Sequence, residues 1–254
     1  MRPAPFQYVR ARSALEAAQM LGHNPGARIL SGGQTLIPEL TRRAVTSPLI
    51  VDLKTARGMD TAHWEDAGLT IGALCTLSTL EAVVAQRPHA RYLQSALAMT
   101  ASPAIRHRAT VGGTVALASS TSELLVALLL GTTSCETVDA DGNIRTRDLN
   151  EFFTTRNVGD AEVLTTVRHT PPDGAAALDE YARQSNVPAD VVVGVVSGFE
   201  TNLLHTVVGI RGRLPTYASR HPGDPYVPRH VASAWSHDAI AERLITRLAH
   251  AGRH

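Results

Sequence analysis

Two short stretches hold the residues best suited to chemistry. Ser31-Gly32-Gly33-Gln34-Thr35-Leu36, followed by Pro38, lies near the N-terminus, and Ile105-Arg106-His107-Arg108-Ala109-Thr110-Val111-Gly112-Gly113-Thr114 lies far downstream. Each contains a Gly-Gly pair flanked by hydroxyl side chains, and each is expected to open onto a helix. Adjacent glycines let backbone N–H groups turn toward one point with no Cβ in the way. Such a concavity binds anions, phosphate above all, and short hydroxyls add donors without any lysine. One pair alone is weak evidence, because punctuating glycines usually serve turns. Two pairs in matching context predict main-chain amides from two loops converging on the two phosphates of one dinucleotide.

The elements that must position these loops can be read from pattern. Residues 6–9 read as a short strand. Ser13 caps an amphipathic helix carrying Leu15, Ala18 and Leu21, and Gly22 is expected to end it. Residues 27–30 form a buried strand that runs into the first glycine pair. A helix over 36–43 accepts Pro38 in its first turn, and 49–53 is a second buried strand. This β-α-β-α-β run predicts a compact α/β lobe with a boundary near residue 55. Further on, 69–73 reads as a strand and 77–85 and 89–100 as helices. Ser122-Glu123 starts a helix through Leu130, with serine capping and glutamate suiting the positive end. Residues 135–138 and 144–145 flank Asp141-Gly142 as a hairpin, and 162–167 is a strand. Thr170-Pro171-Pro172-Asp173-Gly174 breaks the chain, so domains are expected over 1–170 and 171–254. In the second, 191–199 and 203–210 read as strands, 215–228 as a long loop and 236–249 as a helix.

Composition narrows the function classes. The 254 residues are 44% hydrophobic with a formal net charge of +1, enough for a sizeable core and too balanced for a dedicated nucleic-acid binder. The longest apolar run, 124–130, is far short of the ~20 residues that span a bilayer. The N-terminus lacks the apolar segment of a secretory signal, which leaves the cytoplasm as the expected address, with no membrane partner. Cys75 and Cys135 are isolated, so no metal site or iron–sulfur cluster is expected in this chain. Fingerprints for a Rossmann site, a P-loop, a zinc protease and a serine-hydrolase elbow are all missing.

In order and spacing, the two glycine stretches resemble the two FAD-binding stretches of the flavoprotein family that includes vanillyl-alcohol oxidase and the medium subunits of molybdenum hydroxylases. The likeness is closer to the medium subunits, the group of xanthine dehydrogenase and CO dehydrogenase. Asp139-Ala140-Asp141-Gly142, Leu149-Asn150-Glu151-Phe152-Phe153 and Glu162-Val163-Leu164 resemble that group's hairpin and the segments after it. The resemblance covers about residues 4–172. It implies an α+β fold: a two-lobed PCMH-type FAD-binding domain with a small, abbreviated C-terminal α/β domain. It also implies non-covalent FAD, with Ser31, Gly32, Gly33, Gln34, Thr35 and Leu36 on one side of the pyrophosphate. Thr110, Gly112, Gly113 and Thr114 would hold the other side. Glu123 takes the place of a family aspartate that hydrogen-bonds the ribityl or adenosine portion, and Leu164 would pack on the cofactor. Tyr181 would lie near the flavin, which makes it, with His107, a candidate catalytic residue.

The chain also departs from that pattern. His107 and Thr114 stand where the family has asparagine, Glu123 is one methylene longer than aspartate, and Ala182 and Asn186 replace basic residues. Taken alone, Glu123 also suits a plain first-turn glutamate, His107 an exposed loop histidine, and Tyr181 a core residue. The resemblance implies an electron-transferring FAD-dependent oxidoreductase subunit working with molybdenum and iron–sulfur subunits. A stand-alone FAD oxidase or dehydrogenase acting on a small molecule is the alternative. A cofactor-free scaffold fits poorly, since adjacent glycines cost backbone entropy that such a chain has no reason to bear.

Overall fold

The computed structural model describes residues 2–155, 161–183, 188–198, 203–221 and 237–251. Along the chain run β1 (Gln7–Arg10), α1 (Ala14–His23), β2 (Arg28–Leu30), α2 (Leu36–Arg42) and β3 (Leu49–Asp52). Strands β4 (Ala62–Glu65) and β5 (Gly68–Gly72) follow, then α3 (Leu77–Val84), α4 (Arg91–Met99), α5 (Pro103–Arg106), α6 (Val111–Leu117) and α7 (Glu123–Leu128). Next come β6 (Thr132–Val138), β7 (Ile144–Asp148), α8 (Leu149–Thr155) and β8 (Val163–Thr170). The rest is β9 (Gly174–Tyr181), β10 (Val191–Gly198), β11 (Leu204–Ile210), β12 (Thr216–Arg220) and α9 (His237–Ala251). Helix and sheet are mixed, an α+β architecture. The chain forms two compact units, one of residues 1–80, 103–117 and 134–168, the other of 81–102, 118–133 and 169–254.

The first unit begins with a parallel sheet in the order β1-β3-β2. Tyr8 pairs with Ile50, and Ile29 with Val51. All four residues of β3 are buried, as the central strand of a parallel sheet requires. Ser13 caps α1 by accepting from the Glu16 N–H at 3.1 Å, and Glu16 accepts from the Arg12 N–H at 2.6 Å. The helix does not stop at Gly22. It continues to His23, and Asn24 closes it with its own N–H on the Leu21 carbonyl and its side-chain amide on the Met20 carbonyl. Ala17, Ala18 and Leu21 pack against Leu49, Val51 and Leu53. A five-stranded sheet in the order β4-β5-β8-β6-β7 completes this layer set.

The second unit is built on an antiparallel sheet in the order β12-β11-β10-β9. Val191, Val193 and Val195 of β10 face Ile240, Ala241, Leu244 and Ile245 of α9. The alternate side of β10 meets α7, and Gly194 lets the Leu130 side chain close on the strand, since a Cβ there would lie 2.9 Å from it. Burial on both sides explains the valines on either side of Gly194, each contributing roughly 1.5–3 kcal/mol.

Further expectations need correction. The second glycine pair does not precede a helix, because Gly112 and Gly113 lie inside the first turn of α6. Residues 216–220, read as loop, form β12 paired to β11, while 222–230 lie outside the described residues. Strands β4 and β9 were not foreseen.

Candidate functional site

The first glycine stretch leaves the sheet where the Leu53 N–H donates to the Leu30 carbonyl at 3.0 Å. Gly33 has φ 72°, in the left-handed region that favours glycine. The Gln34 side chain folds back to donate to the Gly32 carbonyl at 3.1 Å and so braces the turn. Thr35 occupies the N-cap of α2 without capping it through its side chain. The first amides to bond back into the helix are Ile37 on the Gly33 carbonyl and Glu39 on the Thr35 carbonyl, both at 3.2 Å. Among the described residues, the main-chain N–H groups of Gly32, Gly33, Gln34, Thr35 and Leu36 donate to no protein atom. Five consecutive orphan donors in a half-buried turn need water or an anion to meet them.

The second stretch behaves differently. Val111 donates to the Cys75 carbonyl at 2.9 Å and Gly112 to the Ala73 carbonyl at 2.8 Å. Gly113 donates to the Thr110 hydroxyl at 3.1 Å and Thr114 to the Thr110 carbonyl at 3.0 Å. These amides are all taken, so the expectation that both loops present free amides is corrected: of the two Gly-Gly pairs, only the first leaves its N–H groups without a protein acceptor among the described residues. Gly112 is instead a close-approach residue, since a Cβ would fall 2.6 Å from the Ala73 oxygen. Gly113 is exposed, and a Cβ there would meet only the Thr110 hydroxyl, at 3.1 Å.

The two stretches touch. Ser31 Oγ and Thr110 Oγ1 are 2.7 Å apart. Gly32 lies so close to the second stretch that a Cβ would sit 2.1 Å from the Arg108 oxygen. Hydrogen at Gly32 is therefore the condition for the contact. The second stretch thus forms a wall beside the orphan amides. Donor count, compactness and the bare glycine surface all fit a diphosphate.

Residues 4–169 match the family described as FAD binding domain in molybdopterin dehydrogenase. The chain belongs to that family. Its cofactor is FAD. The 6-hydroxypseudooxynicotine dehydrogenase complex subunit alpha of Paenarthrobacter nicotinovorans is 31% identical over 189 residues, covering 72% of this chain and 64% of that one. The nicotinate dehydrogenase FAD-subunit of Eubacterium barkeri is 29% identical over 195 residues, covering 72% and 66%. The matched region thus spans just under two thirds of these relatives' length. The fold is that of quinoline 2-oxidoreductase from Pseudomonas putida 86, with a TM-score of 0.83 at 23% identity over 100% of both chains. Carbon monoxide dehydrogenase from Hydrogenophaga pseudoflava aligns with a TM-score of 0.82 at 19% identity, over 100% of this chain and 99% of that one.

The other anticipated residues of this FAD-binding domain protein are placed as follows. In the first unit, Leu164 is buried on β8, and His107 is exposed just after α5 with its N–H on the Pro103 carbonyl. In the second unit, Glu123 is 8% exposed in the first turn of α7 and accepts from the Thr100 hydroxyl at 3.1 Å. Glu180, on β9, carries no signal in the sequence. Burial first, then the nearby Glu123 and Asp179, pushes the Glu180 carboxyl up to about 7. Tyr181 ends β9 and packs against the β10–α9 core. Asp190 is bound by Arg211 at 2.8 Å and Arg183 at 3.1 Å. Burial works against that carboxyl, yet the two arginines hold it below the usual range. Asn186 lies outside the described residues. Cys75 and Cys135 are both buried and unbridged, and burial pushes their thiols up to about 11 and about 12. No helix among the described residues is long and apolar enough to cross a membrane.

Proposed function

We propose that this chain is the FAD-carrying subunit of a multi-subunit oxidoreductase, receiving electrons from molybdenum and iron–sulfur subunits and passing them to an acceptor. The observation that carries this reading is the run of five orphan amides, Gly32 to Leu36, beside a glycine-bared wall. Relatives named as subunits of dehydrogenases and of a hydroxylase support it over a stand-alone flavoenzyme or a cofactor-free scaffold. FAD, when bound, supplies the electron-accepting chemistry. The amides of residues 32–36 hold its diphosphate. Ser31 and Thr110 lock the loop in place, and Gly112, Gly113 and Thr114 give the wall its low relief. Glu123 and Leu164 are assigned to the cofactor on the strength of the resemblance, and Tyr181 and His107 stay candidates for the flavin's surroundings. The functional division we infer is 1–170, with a lobe boundary near 55, and 171–254. A cytoplasmic address completes the reading.

Purification tests it. The intact chain should retain about one non-covalent flavin, and Gly33→Val should lose it. Valine at φ 72° is strained, and its Cβ would press on Ile37 at 3.2 Å. Full flavin occupancy in a folded Gly33→Val chain, read by absorbance and circular dichroism, would contradict the assignment.

A further inference from the structure

The hydrogen bond that joins the two glycine stretches has a direction, and the buried Thr110 hydroxyl decides it. Ser31 Oγ and Thr110 Oγ1 lie 2.7 Å apart, a distance that a proton from either side could serve. Thr110 Oγ1 already accepts from the Gly113 N–H at 3.1 Å. An N–H cannot take a proton, so that bond leaves the Thr110 proton still to be placed. Thr110 is only 6% exposed, which leaves little room for water. Among the described residues, the acceptor its hydroxyl meets is Ser31 Oγ. A proton stranded at this depth would carry its full desolvation cost. Thr110 therefore donates and Ser31 accepts. The Ser31 proton is then left with no protein acceptor among the described residues. Ser31 is half-buried and stands directly before the five orphan amides of residues 32–36. Gln34, the amide side chain of the same turn, is spent on the Gly32 carbonyl at 3.1 Å.

We propose that the Ser31 hydroxyl is a side-chain donor to the FAD diphosphate, and that Thr110 is the positioning residue that keeps the Ser31 proton available for it. This rests on the reading of residues 32–36 as the diphosphate cradle. The donors line up from the Gly113 N–H to Thr110, from Thr110 to Ser31, and from Ser31 to a phosphate oxygen. A hydroxyl that accepts one bond donates a stronger one, and an anionic acceptor strengthens it again. The second stretch, whose amides are taken, thus acts on the diphosphate through a side chain of the first.

The test uses the full chain and FAD itself, with the dissociation constant read by flavin fluorescence and the bound diphosphate by phosphorus-31 NMR. Ser31→Ala should weaken FAD binding roughly tenfold or more and move one of the two bound phosphorus resonances. Thr110→Val keeps the side-chain shape without the hydroxyl and should also weaken binding, whereas Thr110→Ser should bind as the parent does. Should Thr110→Val fail to fold, judged by circular dichroism, Ser31→Ala decides alone. Parent-like affinity in Ser31→Ala overturns the proposal. Weaker binding with both phosphorus resonances unmoved marks the bond as a loop brace only and overturns the donor assignment. A folded Thr110→Val chain that binds FAD as well as the parent, or better, overturns the direction of the bond, since losing an acceptor would then free the Ser31 proton. A parent chain that binds no FAD removes the cofactor reading itself, and the proposal with it.

Discussion

Hydrogen, in place of a side chain, is what Gly32 contributes: its α-carbon faces the Arg108 carbonyl where a methyl would lie 2.1 Å from oxygen. Far from the glycines, His169 makes a different use of confinement. The Thr133 hydroxyl donates to the Leu128 carbonyl at 2.6 Å, so toward His169 Nδ1, 2.7 Å away, it can only accept. The ring therefore carries its proton on Nδ1, and Nε2 accepts from the Tyr92 hydroxyl at 2.5 Å. Every group in this chain of bonds is satisfied. Burial pushes His169 down to about 3 and the Tyr92 hydroxyl well above its usual range. A histidine lowered in the folded state gives stability that is present above the unfolded value, about 6.5, and lost as pH falls toward 3. Urea unfolding across pH 7 to 4 should show this loss in the parent. In His169→Gln the slope should shrink, with a cost of about 1–3 kcal/mol at pH 7 for the disturbed bonds. Equal slopes in the two proteins would contradict the buried neutral histidine.

Elements show where pattern reading succeeds. Ser13 and its helix are legible because a cap and a periodic face agree, and β10 because a strand buried on both sides is rich in valine. Strand β9 was not, since Gly-Ala-Ala-Ala-Leu-Asp-Glu-Tyr has the composition of a helix. It is extended because it pairs with β10 along its whole length, a tertiary demand that overrides local preference. Helix α6 breaks propensity in the other direction, carrying two glycines in its first turn at about 1 kcal/mol each because Gly112 must pass the Ala73 backbone. The turns on either side of α5 and α6 are strained too: Ala101 has φ 52° and Ala118 φ 47°. A left-handed alanine costs about 1–2 kcal/mol, part of which glycine returns as unfolded-state entropy. Ala101→Gly and Ala118→Gly should therefore each stabilise the chain by about 0.5–1 kcal/mol in urea unfolding. Destabilisation by both would show that these conformations carry no strain.

At the scale of the whole molecule, the family and the first loop were legible from residues 31–36 and 105–114, since spacing and residue type fix the turn. The division of labour between the loops was not. Whether an amide is free depends on where Ala73 and Cys75 place their carbonyls, and neither lies in the motif. The central claim is that one loop, not two, supplies the amides that meet the FAD diphosphate. Backbone amide NMR of the full chain with and without FAD tests it most directly. Large shifts are expected for Gly32, Gly33, Gln34, Thr35 and Leu36, with the hydrogen-bonded amides of Val111, Gly112 and Thr114 moving far less. Unmoved signals from residues 32–36 in a chain that binds FAD would contradict it.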